Sequence, residues 1–269
     1  MIFTIFLFTP FALFAQDIES YRLTTSNWQV CRVWASVKDP YLSPLKYKGS
    51  GVATSLNSKR FFQKKSEKFI ATYGVSALYT SLLNPALTSK MQYFDGNANY
   101  GVHYRLQIKQ YFALLAGASA DIDLGLRYLS RNSNNPFNMD AAANLNFSVA
   151  VQLKIPMFRR VFQVDLEMRT PLVGAMFVPS RGASYYEMGT FDNALRNTFH
   201  FSNLSNRNGL LANIALHIPL NRLTVSITGN ANALRFKAND AVYSYSTAGL
   251  GIGFKYSFVI FSGRKYSHL

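Results

Sequence analysis

Apolar and polar side chains alternate with a period of two along most of this chain. In residues 141–155, for example, Phe147 lies on one face and Asn146 and Ser148 lie on the other. The same alternation recurs in residues 91–108, 161–169 and 247–258. Because successive side chains of a β-strand point to opposite faces, the sequence predicts an all-β fold.

Two all-β architectures produce such alternation. A soluble barrel or sandwich turns its apolar face inward, whereas a transmembrane barrel turns it outward into lipid and keeps a polar lumen. Asp165 and Glu167 occupy mid-strand positions that a dry soluble core would not accept without pairing. Aromatic residues crowd the predicted strand ends, as interfacial girdles require: Tyr79, Tyr93, Tyr104, Tyr111, Tyr128, Tyr256, Phe258 and Phe261. We therefore expect a transmembrane, antiparallel, up-and-down β-barrel.

The chain begins with an uncharged apolar run, MIFTIFLFTPFALFA. This run is too short to span a bilayer as a helix, and Ala15 offers a cleavage site, so residues 1–15 are predicted to be a secretory signal peptide. A buried core strand is the alternative interpretation. Removal of the signal leaves residues 16–269 as the β-barrel, and its export predicts a location in the bacterial outer membrane.

Connection lengths set the expected topology. Long loops at 129–140 and 173–195 alternate with short turns, which suits long outer loops, short periplasmic turns and both termini in the periplasm. About ten strands follow, near residues 21–38, 45–60, 68–82, 90–107, 110–128, 141–155, 161–173, 207–219, 223–236 and 241–260. Residues 193–206 either add an outer hairpin or extend a strand, so twelve strands are also possible.

The chain carries a net charge of +15. The predicted topology places many basic residues at the periplasmic rim: Lys59, Arg60, Lys64, Lys65, Lys68, Lys109, Arg159, Arg160, Arg222, Arg264 and Lys265. Such a rim either contacts anionic lipid or is simply solvated. The expected partners are outer-membrane lipid and lipopolysaccharide, with an envelope protein as a further possibility. A ring of charge lacks the single basic face of a nucleic-acid binder, so nucleic acid is not expected.

Five short sequence strings together form a recognisable pattern. They are Tyr41 to Gly49 (YLSPLKYKG), Arg131 to Pro136 (RNSNNP), Thr170 to Gly174 (TPLVG), Phe177 to Pro179 (FVP) and Ser184 to Glu187 (SYYE). Together, over nearly the whole mature chain, they resemble a Bacteroidetes family of outer-membrane β-barrels, a domain of unknown function. The resemblance implies the fold and the location, and it implies no activity.

Charged side chains on the predicted lumen face form the first candidate site. They are Asp95, His103, Arg105, Asp121, Asp123, Arg127, Asp165, Glu167 and Arg169, with Lys154 and His217 nearby. Such a set either lines an ion or solute path or forms a paired, hydrogen-bonded plug. A small barrel leaves little open space, which favours the plug. Asp121 and Asp123 share a face, but a metal would need more oxygen ligands than the sequence places there.

A second candidate is His200, Ser202 and Asn203. His200 and Ser202 lie two residues apart, so both face the same side of a strand, and a histidine beside a serine can act as its base. The motif resembles the His-x-Ser-Asn arrangement of outer-membrane lipid deacylases, which would imply lipid A as substrate. A triad also needs a group that orients the histidine, and the nearest polar residue, Asn213, is predicted to face the lumen.

The sequence therefore predicts a closed, plugged barrel with a non-enzymatic role in envelope structure or in contacts through its outer loops. A narrow solute or ion pore is the second hypothesis, and a lipid A deacylase-like hydrolase is the third. No cofactor or metal is expected, because the Gly249, Gly251, Gly253 run continues as a strand rather than opening a phosphate-binding helix. The single cysteine, Cys31, excludes a disulfide scaffold and is expected to be a structural thiol.

Overall fold

The computed structural model describes residues 21–62, 68–133, 135–157, 160–179, 197–220 and 223–261. The predicted signal peptide, the SYYE string and the basic residues Lys64, Lys65, Arg159, Arg222, Arg264 and Lys265 lie outside these residues. Within them, no helix is long and apolar enough to cross a membrane.

Eleven strands make up the fold of the described residues. They are β1 (Tyr21–Lys38), β2 (Lys46–Phe61), β3 (Phe69–Leu83), β4 (Lys90–Lys109), β5 (Phe112–Leu129), β6 (Phe137–Met157), β7 (Arg160–Phe177), β8 (Phe199–Asn203), β9 (Arg207–Pro219), β10 (Thr224–Ala238) and β11 (Ala241–Phe261). Each pairs antiparallel with its neighbours, and β1 pairs with β11 along its whole length. Ten strands thus close into an up-and-down barrel, with β8 outside it, which confirms the predicted fold class.

Of the undecided segment 193–206, the described residues from 197 onwards contain one strand, β8, outside the barrel. β8 pairs with the last residues of β7, from Val173 to Phe177, while β9 pairs with β7 between Gln163 and Arg169. The described part of the chain therefore has eleven strands, not twelve.

A bulge lies where β6 meets β7. Leu145 pairs with Val173 and the next residue, Asn146, pairs with Pro171, so Leu172 is the extra residue. Proline has no backbone N–H to donate to the ladder, which suits a bulge. Both strands extend further than predicted, with β6 starting at Phe137 and β7 ending at Phe177.

The outer surface of the barrel is apolar in its middle. Ile122, Leu250 and Ile252 each expose more than 60% of their surface, which water would penalise and lipid would not. Exposed aromatic residues lie towards both strand ends: Phe69, Tyr79, Phe94, Tyr104, Tyr111, Tyr128, Tyr256 and Phe258. Tyr93 was wrongly predicted to join them, because it is 1% exposed and lies inside the barrel. Its parity with the inward Asp95 places it on the lumen face.

The barrel has a terminal end and a loop end. The terminal end is the one where β1 begins and β11 ends, and the loop end is the opposite one, where residues 39–45 connect β1 to β2. Inside the loop end, large side chains form an apolar layer, each at most 2% exposed: Leu82, Met91, Tyr93, Met176, Phe236 and Tyr243. Phe236 stacks on Tyr243 with ring centroids 4.8 Å apart, so this layer is closely packed.

Candidate functional site: the barrel interior

A polar cavity of about 410 Å³ occupies the barrel interior. Most of the predicted lumen residues line it: Asp95, Arg105, Asp121, Asp123, Arg127, Asp165, Glu167 and Arg169. His103 lies instead behind this lining, 1% exposed, with Nε2 2.9 Å from the Ser148 hydroxyl. The cavity ends below Tyr93 and Phe236 of the apolar layer, so large buried side chains bound it towards the loop end.

A network of side chains crosses the barrel near its terminal end. Lys59 of β2 donates to the Asp165 carboxylate of β7 at 3.1 Å, and Gln163 donates to the other oxygen of Asp165 at 2.6 Å. His217 Nε2 lies 3.5 Å from Asp165, and Lys255 donates to Gln163 Oε1 at 3.0 Å. Because β2 and β7 are not neighbours, these contacts join opposite walls of the barrel.

A second network surrounds the carboxylates at mid-barrel. Asn144 and Asn146 donate to Asp121 at 2.8 and 2.6 Å, and Asn97 donates to Asp123 at 2.5 Å. Arg207 of β9 reaches Asp123 across the lumen, with a nitrogen-to-oxygen distance of 3.3 Å. Amides and one guanidinium thus satisfy acceptors whose burial would otherwise be costly.

The third network fastens the loop end from inside, and Arg127 is its centre. The guanidinium donates to Asp140 and lies 3.5 Å from Asp39, whose other donor is the Asn138 amide at 2.7 Å. It also lies 4.9 Å from the ring centroid of Tyr93, as a cation–π contact. Asp39 is fully buried although it belongs to the turn after β1, so this turn folds into the barrel mouth.

Burial raises the pKa of Asp39 above its usual value, and the Arg127 charge and the Asn138 amide oppose that rise. Tyr41 backbone N–H also donates to Asp39 Oδ1 at 3.0 Å. Tyr41 and Leu42 are themselves buried, so the first of the familiar strings contributes to the packing inside the loop end. A raised pKa means that the ionised form of Asp39 is less favourable in the folded barrel than in water.

Sequence reasoning missed several members of these networks. Lys59 was wrongly placed at the rim, because its position near a strand end outweighed its parity with the inward Asn57. Asp39 and Asp140 were assigned to loops, and Arg207 was not selected. Asp140 could have been found by extending the alternation of β6 from Asn144 towards its start, since β6 begins at Phe137 and residues 140 and 144 share a face.

His200, Ser202 and Asn203 do not form a triad in the described residues. His200 and Ser202 face inward while Phe199 and Phe201 face outward, and no hydrogen bond joins the two candidate residues. His200 Nε2 is buried without a hydrogen-bond partner among described residues. The Asn203 side chain accepts from Ser205 backbone N–H at 2.9 Å, so it shapes the turn before β9. A general base needs a hydrogen bond to its nucleophile, which this geometry does not provide.

Among the described residues, no three His, Cys, Asp or Glu side chains are positioned to hold a metal ion. Cys31 is buried, with its Sγ 3.5 Å from the Thr228 hydroxyl.

A family model described as "Protein of unknown function (DUF3316)" matches residues 1–265. The chain belongs to this family. Comparison of this DUF3316 member with curated protein sequences finds no match.

Several solved structures are similar in fold to this DUF3316 member. The outer membrane protease OmpT from Escherichia coli is 7% identical, with 92% of this chain and 99% of that chain covered and a TM-score of 0.47. The translocator domain of the autotransporter NalP from Neisseria meningitidis is 10% identical, with 89% and 90% covered and a TM-score of 0.40. Ail of Yersinia pestis is 12% identical, with 86% and 98% covered and a TM-score of 0.33. These likenesses concern the fold alone.

Proposed function

We propose that the protein is an integral β-barrel of the bacterial outer membrane with a non-enzymatic role in the envelope. The observation that carries this proposal is the sealed loop end, where the apolar layer and the Arg127 network close the lumen. The exposed apolar belt supports a lipid environment, and the aromatic residues at both strand ends suit its two interfaces. Outer-membrane lipid and lipopolysaccharide are the proposed surroundings of this belt.

The proposed orientation places the terminal end in the periplasm and the loop end outside the cell. An export signal in residues 1–15 fits this orientation. The outer loops are then the surface that meets an envelope or external partner. We further propose that the five sequence strings, from YLSPLKYKG to SYYE, are a signature of this family in Bacteroidetes. The string from Tyr41 to Gly49 supports this, because it supplies part of the proposed seal.

The first experiment compares gel migration of the outer-membrane fraction with and without boiling. A closed barrel is expected to migrate differently when unboiled, and protein in the soluble periplasmic fraction without such a shift would contradict the proposal. Reconstitution in planar bilayers then tests the seal. The wild-type protein is expected to be silent, whereas stable single-channel steps would refute a closed loop end.

A narrow pore is the second candidate function, favoured by the polar cavity that extends through much of the lumen. A pore requires the apolar layer to open, so steps in the wild-type protein would establish it. A partner at the outer loops predicts a different result: removal of residues 180–196 abolishes association while the heat-dependent gel shift remains.

A further inference from the structure

Charges inside the barrel are separated along its axis. The part of the cavity towards the terminal end is lined by two acidic side chains, Asp165 and Glu167, and by six basic ones: Lys59, Arg60, Arg105, Lys154, Arg169 and Lys255. We name these eight residues the basic chamber. Towards the loop end the balance reverses, with Asp95, Asp121, Asp123 and Asp140 against Arg127 and Arg207.

Solvent reaches the cavity from the chamber side. Lys154, on the chamber wall, is exposed, and the Lys59 side chain is 24% exposed. At the other end of the cavity Tyr93, Arg127 and Phe236 are at most 3% exposed. The cavity is therefore a blind pocket whose mouth is basic.

The charges of the chamber are incompletely neutralised by protein. Lys59 has the Asp165 carboxylate at 3.1 Å, but Lys255 donates to the neutral amide oxygen of Gln163. Arg169 lies 3.6 Å from Glu167 through Nε, and its Nη1 is buried with no hydrogen-bond partner among described residues. A buried guanidinium nitrogen without a partner calls for an acceptor that the described residues do not supply.

We propose that the basic chamber binds a small polyvalent oxyanion, a phosphate or a phosphomonoester, which enters from the terminal end. Guanidinium and ammonium groups are suited to phosphate oxygens, and the low-dielectric walls strengthen their attraction. The acidic side chains beyond the chamber repel an anion, so it stays near the mouth and does not cross the barrel. This inference rests on the proposed closed loop end, because a blind pocket binds and releases its ligand on one side.

Calorimetric titration with inorganic phosphate tests the inference. Phosphate is added to the folded protein in uncharged detergent, and the ionic strength is held constant with chloride salt. Lys154→Gln and Lys255→Gln each remove one positive charge from the chamber. Neither substitution breaks a hydrogen bond to a carboxylate among the described residues, because Lys255 donates to the Gln163 amide. Lys237→Gln is the matched control, because Lys237 is exposed on β10 near the loop end. Each chamber variant is expected to weaken phosphate binding roughly tenfold, and the control is expected to leave it unchanged.

Two results would overturn the inference: no saturable phosphate binding by the wild-type barrel, or equal weakening in the control and the chamber variants. Glycerol 3-phosphate and vesicles containing phosphatidic acid, which presents a phosphomonoester headgroup, then separate the sources of the ligand. Competition by the soluble ester alone identifies a periplasmic solute, and competition by the vesicles identifies a lipid headgroup. The bilayer recording distinguishes failure of the proposed seal from failure of the binding site. If the wild-type barrel conducts and Lys154→Gln still weakens phosphate binding, the seal is refuted and the binding site is retained.

Discussion

Arg127 is the best place to test how the loop end is held closed. Its guanidinium is the shared cation of Asp39 and Asp140 and lies over Tyr93, and the side chain is 4% exposed. Arg127→Met removes the cation and leaves two carboxylates in the mouth of the barrel. Breaking a buried ion pair from one side costs about 3–5 kcal/mol, so the free energy of unfolding should fall by that amount.

Urea unfolding in phosphatidylcholine vesicles measures this loss. Trp28 and Trp34 are about half exposed on the lipid-facing surface, so their emission reports the transfer of the strands from lipid to water. Arg235→Met is the matched control, because Arg235 is an exposed arginine near the same end, and it should change stability by no more than about 0.5 kcal/mol.

A second variant separates lost packing from uncompensated charge. Arg127→Met combined with Asp39→Asn and Asp140→Asn removes the cation and both carboxylates, so most of the lost stability should return. The variant Arg127→Met should also conduct in planar bilayers if the network holds the seal. A loss below about 1 kcal/mol for Arg127→Met, or no recovery in the combined variant, would refute this account of the seal.

Four further outcomes are expected. Ile122→Arg, at the exposed middle of β5, should lower the unfolding free energy by about 2–4 kcal/mol, whereas Tyr128→Arg near the strand end should cost at most about 1 kcal/mol; equal costs would contradict the lipid belt. Gly251→Val should slow or prevent folding in a refolding gel assay, because a Cβ there would lie 2.1 Å from the carbonyl oxygen of Val30. Since the pKa of Asp39 is raised in the folded state, its contribution to stability is full at low pH and is lost as pH rises through that pKa. The stability of wild type relative to Asp39→Asn should therefore decline with rising pH, and a rising difference would contradict the burial of this carboxyl. Ser202→Ala should leave lipid A mass spectra unchanged, and an altered acyl pattern would revive the hydrolase hypothesis.

The sequence predicted that charged side chains line the barrel interior, but it identified only some of those residues. Parity from neighbouring polar residues selected Asp121, Asp123 and Asp165, because a strand alternates faces regardless of its surroundings. Parity was not applied at strand ends, where Tyr93 and Lys59 were assigned by position and were therefore misplaced. The turn residue Asp39 has no periodicity at all, and its burial follows only from the Arg127 and Asn138 side chains that meet it.

Alternation with a period of two, maintained over strands of 13 to 21 residues in the barrel wall, determined that the chain forms strands with one polar and one apolar face. That pattern is local, so the sequence alone expresses it. The tertiary structure decided which charges meet across the lumen. Lys59 and Asp165 are 106 residues apart and Arg127 and Asp39 are 88 apart, on walls that closure and stagger bring together. Their pairing depends on the register of every intervening strand, and no local sequence pattern encodes those registers together.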